Sequence, residues 1–165
     1  MPTHLLLALL LLGSTSPTPK ASPSSALWSP PSTRVSRPSF DAVILDLSPL
    51  NNSPDVPGVQ HWCPSPEQVL SAESGMRAHL LGSLAWHSPR IRADLPRYKR
   101  QYVGFVRAGK RLIYIQFFHP DSSPVRDGSW SSTFFTIMGG GDYFFRMLYD
   151  PAAKRHFDVW VNAPK

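Results

Sequence analysis

The placement of proline limits this chain more than any other feature. Twelve of its eighteen prolines lie in the first 66 residues. Proline lacks a backbone N–H, so it interrupts helices and is confined to the margins of sheets. The chain therefore reads as a proline-rich leader followed by a body able to build regular structure. At 165 residues it is sized for one domain. Its single cysteine, Cys63, excludes an intrachain disulfide framework and a cysteine-rich zinc site.

Within the leader, Leu5 to Leu12 is a run of eight apolar residues, seven of them leucine. It is too short to cross a bilayer as a helix, which takes about 20 residues, but it suits the apolar core of an export signal. Residues 1–16 are expected to be that signal, directing the chain to a periplasmic or extracellular location. Leu11-Leu12-Gly13-Ser14 has the form of a bacterial lipoprotein box with serine in place of cysteine, so no thiol is present there to carry a lipid. Residues 17–39, rich in Pro and Ser, bury too little apolar area to offset ordering entropy and read as a disordered tether. A single domain then occupies residues 40–165, with its core over 61–163.

Ser65-Pro66-Glu67-Gln68 is a helix start: a capping serine, proline at the first helical position and glutamine completing a capping box. The helix is predicted from Pro66 to about Leu84, with Val69, Ala72, Met76, Leu80 and Leu84 on its apolar stripe and Glu73 and Arg77 pointing elsewhere. Strands are predicted at Gln101–Arg107 and Arg111–Phe118 around Ala108-Gly109-Lys110. Two more, Ser131–Met138 and Tyr143–Tyr149, flank Gly139-Gly140-Gly141-Asp142, and a last one covers His156–Asn162. Short links between consecutive strands imply an antiparallel meander. The predicted fold is α+β: one N-terminal amphipathic helix packed on an antiparallel meander of four to five strands. Because both parities of the middle strands are apolar, a second sheet face remains, and Tyr102, Tyr114 and Trp160 are its candidate binding residues.

Chemistry-bearing motifs are sparse. The stretch 90–111 carries a net charge of +7 and the rest of the chain −1, which makes Arg97, Lys99 and Arg100 candidates for binding an anionic polymer. An exported protein has little access to nucleic acid, which is not expected as a partner. Cys63 in His61-Trp62-Cys63-Pro64, or His119 in His119-Pro120-Asp121-Ser122, would serve a small hydrolase acting in a helix–sheet groove. The spacing supplies no triad, and the six histidines show no metal-ligating pattern. Gln101-Tyr102-Val103-Gly104-Phe105 is similar to the first-hairpin motif of cystatin-type inhibitors, but Gly104 stands one place early.

Arg100-Gln101-Tyr102-Val103-Gly104-Phe105, Gly109-Lys110-Arg111-Leu112-Ile113-Tyr114-Ile115 and Gly139-Gly140-Gly141-Asp142-Tyr143-Phe144-Phe145 together resemble a family of small bacterial exported proteins, many of them lipoproteins. The resemblance spans about residues 60 to 163. It implies export and brings neither an activity nor site residues. The expectation from the sequence is an exported, non-enzymatic binding or inhibitor-type domain. It would act through its sheet face or hairpin tips on a protein or cell-envelope ligand, with no catalytic residue, cofactor or metal.

Overall fold

The computed structural model describes residues 29–52 and 59–164. The expected signal segment and most of the expected tether lie outside them. The described chain forms β1 (Ser32–Arg37), β2 (Phe40–Leu45), a two-residue β3 (His61–Trp62), α1 (Pro66–Leu81), α2 (Pro89–Asp94), β4 (Lys99–Arg107), β5 (Lys110–Phe118), α3 (Ser123–Arg126), β6 (Phe144–Asp150) and β7 (Arg155–Val161). All seven strands join one sheet in the order β1-β2-β4-β5-β6-β7, with β3 also paired to β4.

This is an α+β fold, with more strands than the four to five expected and one parallel pairing inside the meander. β1 lies within the stretch read as tether. Its six residues pair with β2 in full register, and Pro38, which bounds that stretch, falls in the turn between them. The leader prolines thus punctuate two strands and do not abolish them. β4 is the sheet's backbone. β5 pairs with it along its whole length, while the opposite edge is shared: β2 runs parallel to residues 99–102 and β3 antiparallel to residues 104–105. Gly104 is required at that junction. A Cβ there would overlap the Trp62 carbonyl oxygen and meet the indole at 2.8 Å.

α1 begins where its capping box places it: Gln68 N–H donates to Ser65 Oγ and Ser65 N–H to Gln68 Oε1. It is not the N-terminal element, since three strands precede it, and it ends at Leu81. Val69, Ala72, Met76 and Leu80 are buried against Tyr102, Ile115, Phe117, Met147 and Tyr149 on the first sheet face. Leu81 is exposed. Glu73 does not point outward as expected but turns into the protein. Near the edge strand, His156 donates to the Ala72 carbonyl at 2.8 Å and stacks on His79 with ring centroids 5.6 Å apart.

The predicted strand Ser131–Met138 does not form, and the glycine run after it closes no hairpin. The segment instead lies across half of the second face, where Trp130, Phe135 and Ile137 pack with Val43, Leu45, Val103 and Phe118. Side-chain amides replace the ladder. Gln101 donates to the Trp130 and Thr133 carbonyls, and Asn162 donates to those of Ile137 and Gly139. Gly139, Gly140 and Gly141 then all adopt positive φ, a run that only glycine takes without strain, and the chain turns into β6. On β7 a bulge interrupts the register between Arg146 and Leu148 on its partner strand, with Asp158 at φ 51°.

Burial lowers the pKa of His156, and of His79 beside it. Both stay neutral in the folded chain where the unfolded chain already takes up protons. Their contribution to stability is complete above pH ~6.5 and is lost as pH falls through the lowered values. The urea midpoint should therefore drop between about pH 7.5 and about pH 5.5. The drop should be shallower in His156→Gln, whose amide can still donate to Ala72; an equal slope in both proteins would show that His156 does not couple protonation to stability.

Candidate functional site

The basic stretch disperses on folding. Lys99 reaches Asp41 at 2.7 Å, and Arg34 reaches the same carboxylate. Burial pushes Asp41 upward, but its bonds from Arg34, Lys99 and Ser36 outweigh this and hold its pKa at about 2. Arg97 pairs with Asp94 at 2.9 Å, Arg90 with Asp142, and Arg107 with Asp158 at 3.3 Å. Arg100 is buried beside Glu73 at 3.1 Å. Four of the eight bases of the stretch, Arg90, Lys99, Arg100 and Arg107, thus meet carboxylates brought in from distant parts of the chain, while Arg92, Lys110 and Arg111 have no ion pair among the described residues. The three bases singled out do not form one surface: Arg97 is exposed, Lys99 partly buried and Arg100 enclosed.

Arg100 is a tertiary tie. Its guanidinium donates to the carbonyls of Tyr98 and Leu95 at 3.2 Å each and lies 5.5 Å from the ring centroids of both Phe40 and Phe117. Glu73 accepts from the Tyr102 hydroxyl. Its pKa is raised by burial, against the opposing pull of Arg100 and Tyr102. Tyr102, two residues along β4, therefore faces the helix and is completely buried. It does not join Tyr114 and Trp160 on the second face. A cleft of about 320 Å³ opens beside Glu73, walled by Phe40, Leu70, Met76 and Leu95.

The residues named for hydrolysis sit apart. Trp62, next to Cys63, registers with Gly104, and Phe118, next to His119, registers with Lys99. Those positions are about 17 Å apart along β4. Cys63 is exposed, and burial, helped by Asp46, pushes its thiol pKa up, away from thiolate. His119 is buried, with both ring nitrogens engaged. Nδ1 accepts from the Asp121 N–H at 3.2 Å, and Nε2 lies 3.2 Å from the Asp94 carboxylate. Tyr98 and Tyr143 pack on the ring. Such an imidazole is held by Asp94 and Asp121 and positions the loop after β5.

The open half of the second face is different. The covering segment stops short of it, leaving a groove of about 570 Å³ lined by Phe105, Arg107, Tyr114, Arg146, Leu148 and Trp160. Trp160 is 60% exposed. Arg146, directly across the strand pair from it, lies 5.6 Å from its ring centroid. Phe134, at the margin of the covering segment, packs edge-on against Tyr114, so this aromatic pair stands on one side of the groove and Trp160 on the other, with Arg146 and Leu148 of β6 between them. Arg107 and Asp158 meet over one end, although their strands are separated by β5 and β6. That contact requires the sheet to curl around the groove. The depression between the hairpin tips, lined by Lys110, Arg111, Asp150 and Pro151, holds no aromatic side chain.

No family model, curated protein or solved structure matches the chain. The groove's geometry therefore carries the functional reading. Sequence parity places Tyr114 and Trp160 on this face, but not Phe105, Arg107, Arg146, Leu148 or Phe134. Arg146 reaches this face through its pairing with Gln116 and Trp160 on the neighbouring strands, and the bareness of this half depends on where residues 129–139 lie. Among the described residues no helix is long and apolar enough to cross a membrane.

A structural role for Arg100 gives a direct expectation. Arg100→Ala would leave Glu73 buried without its partner and should destabilise the fold by about 3–5 kcal/mol. Arg97→Ala, at an exposed pair, should barely move the urea midpoint. Equal and small effects at both positions would remove Arg100 from the framework.

Proposed function

We propose that this protein is an exported, non-enzymatic binding domain whose ligand site is the groove on the open half of the second sheet face. The observation that carries the reading is a groove lined by Phe105, Tyr114, Leu148 and Trp160, left uncovered where the other half of the same face is sealed. A single exposed aromatic is ordinary for a protein surface, whereas a groove with apolar walls marks an interaction site. The environments of Cys63 and His119 favour binding over hydrolysis, and the dispersal of the bases favours a groove ligand over an anionic polymer.

Export rests on the leucine run of residues 5–12. Residues 1–39 fused to an alkaline phosphatase that is active only outside the cytoplasm should give active enzyme in a bacterial host; a fully cytoplasmic, inactive fusion refutes export.

A fragment library screened by amide chemical shifts should give hits clustered at Phe105, Tyr114, Leu148 and Trp160. Trp160→Ala should abolish them while changing stability by less than about 0.5 kcal/mol, as expected for a mostly exposed side chain. Hits confined to the cleft beside Glu73 would move the site to the other face of the sheet.

A further inference from the structure

The groove holds one charged group whose partner is missing. Of the charged residues that line it, Arg107 and Asp158 pair with each other. Arg146 projects from the middle of β6 into the groove, half-buried, and has no ion-pair partner among the described residues. Its neighbours are the Trp160 indole and the Tyr114 hydroxyl. That hydroxyl is itself turned to Gln116 Oε1 at 3.2 Å. The nearest acid lining the groove, Asp158, is taken by Arg107 at the rim.

Packing on the indole fixes the orientation of the guanidinium before any ligand arrives. Its unused N–H donors can then meet a planar anion in a bidentate fork. Around this one charge the walls are aromatic and aliphatic: Phe105, Tyr114, Leu148 and Trp160. The volume, about 570 Å³, lies in the range of sites for small organic ligands, which combine apolar walls with a few fixed polar groups.

Resting on the reading of this groove as the ligand site, we propose that it binds a small aromatic carboxylate, with Arg146 holding the carboxylate and Trp160 stacking on the ring. A carboxylate neutralises the unpaired guanidinium at a half-dry site, where an ionic hydrogen bond is stronger than in water. The ring replaces water over the exposed indole. The two contacts are one strand spacing apart, ~4.8 Å across β6 and β7, the scale of a single fused-ring acid.

The test compares naphthoate with the uncharged naphthamide on the full-length protein, read by amide shifts around the groove and by titration. Naphthoate should bind about tenfold more tightly than naphthamide. Arg146→Gln should erase that preference by weakening naphthoate far more than naphthamide, and Arg146→Lys should restore only part of it. Trp160→Ala should weaken both probes alike. Urea midpoints close to wild type would show that each variant is folded; should Arg146→Gln fail this, the preference is read in wild type as a function of salt, and must shrink as salt rises. Equal affinity for the two probes, or a preference that survives Arg146→Gln, overturns the carboxylate assignment but leaves the groove in place if Trp160→Ala still weakens binding. Absence of any Trp160-dependent shift with either probe overturns both. Tetraglutamate binding as tightly as naphthoate, in an Arg146-dependent way, overturns the small aromatic ligand in favour of an acidic peptide.

Discussion

The buried guanidinium of Arg100 is where the parts of this fold meet. It projects from β4, hydrogen-bonds the carbonyls of Leu95 and Tyr98, lies beside Glu73 of α1, and sits between Phe40 of β2 and Phe117 of β5. A buried charge is costly unless its donors are met, so each of these neighbours is constrained by the need to satisfy it. The 89–98 segment must bring its carbonyls down to the sheet, and α1 must present Glu73 inward. Tyr102, donating to the same carboxylate, is drawn to the helix side with it. The first face is closed as a consequence.

The second face is organised by amides. Gln101 and Asn162 hold the carbonyls of residues 130–139 from different strands, and the glycine turn that follows ends the cover abruptly. What the cover leaves bare is the groove. One strand pattern thus serves two ends: the same alternation that seals half of the face around Trp130 exposes Tyr114, Arg146 and Trp160 on the other half. The curl that brings Arg107 to Asp158, together with the bulge at Asp158, turns that bare half into a concavity.

Charge shows most clearly how folding redefines a sequence property. A stretch with a net charge of +7 is strongly basic as a string. In the fold its members point to different faces, and Asp41, Glu73, Asp142 and Asp158, all distant in sequence, come to meet them. Local charge density along a chain measures surface potential only when the residues share a surface, and strand alternation with turns at both ends prevents that here. Arg146, outside the basic stretch and inconspicuous in the sequence, is the one charge lining the groove that is left without a carboxylate among the described residues.

Local chemistry was readable in advance. Ser65, Pro66 and Gln68 specify the start of α1 because a capping box satisfies its own backbone donors within four residues, and the alternations of β4, β5 and β6 follow from side chains a residue or two apart, whereas the bulge in β7 puts Phe157 and Trp160 on one face although strict alternation separates them. The Ala108-Gly109 turn is of the same kind. Everything that depended on distant partners was hidden. β1 gains order from β2 and from burying Val35 in the core, partners its own sequence does not contain, so its polar, proline-flanked sequence reads as tether. Residues 131–138 alternate like a strand, yet their carbonyls go to Gln101 and Asn162. Glu73 turns inward only because Arg100 awaits it, and the buried position of Tyr102 follows from the same pair. The sequence by itself determined where regular structure starts and turns, since those are short-range hydrogen-bond and torsional demands. Only the tertiary structure decided which sheet face is covered and which charge is left over, because burial and ion pairing belong to residues that the chain brings together from far apart.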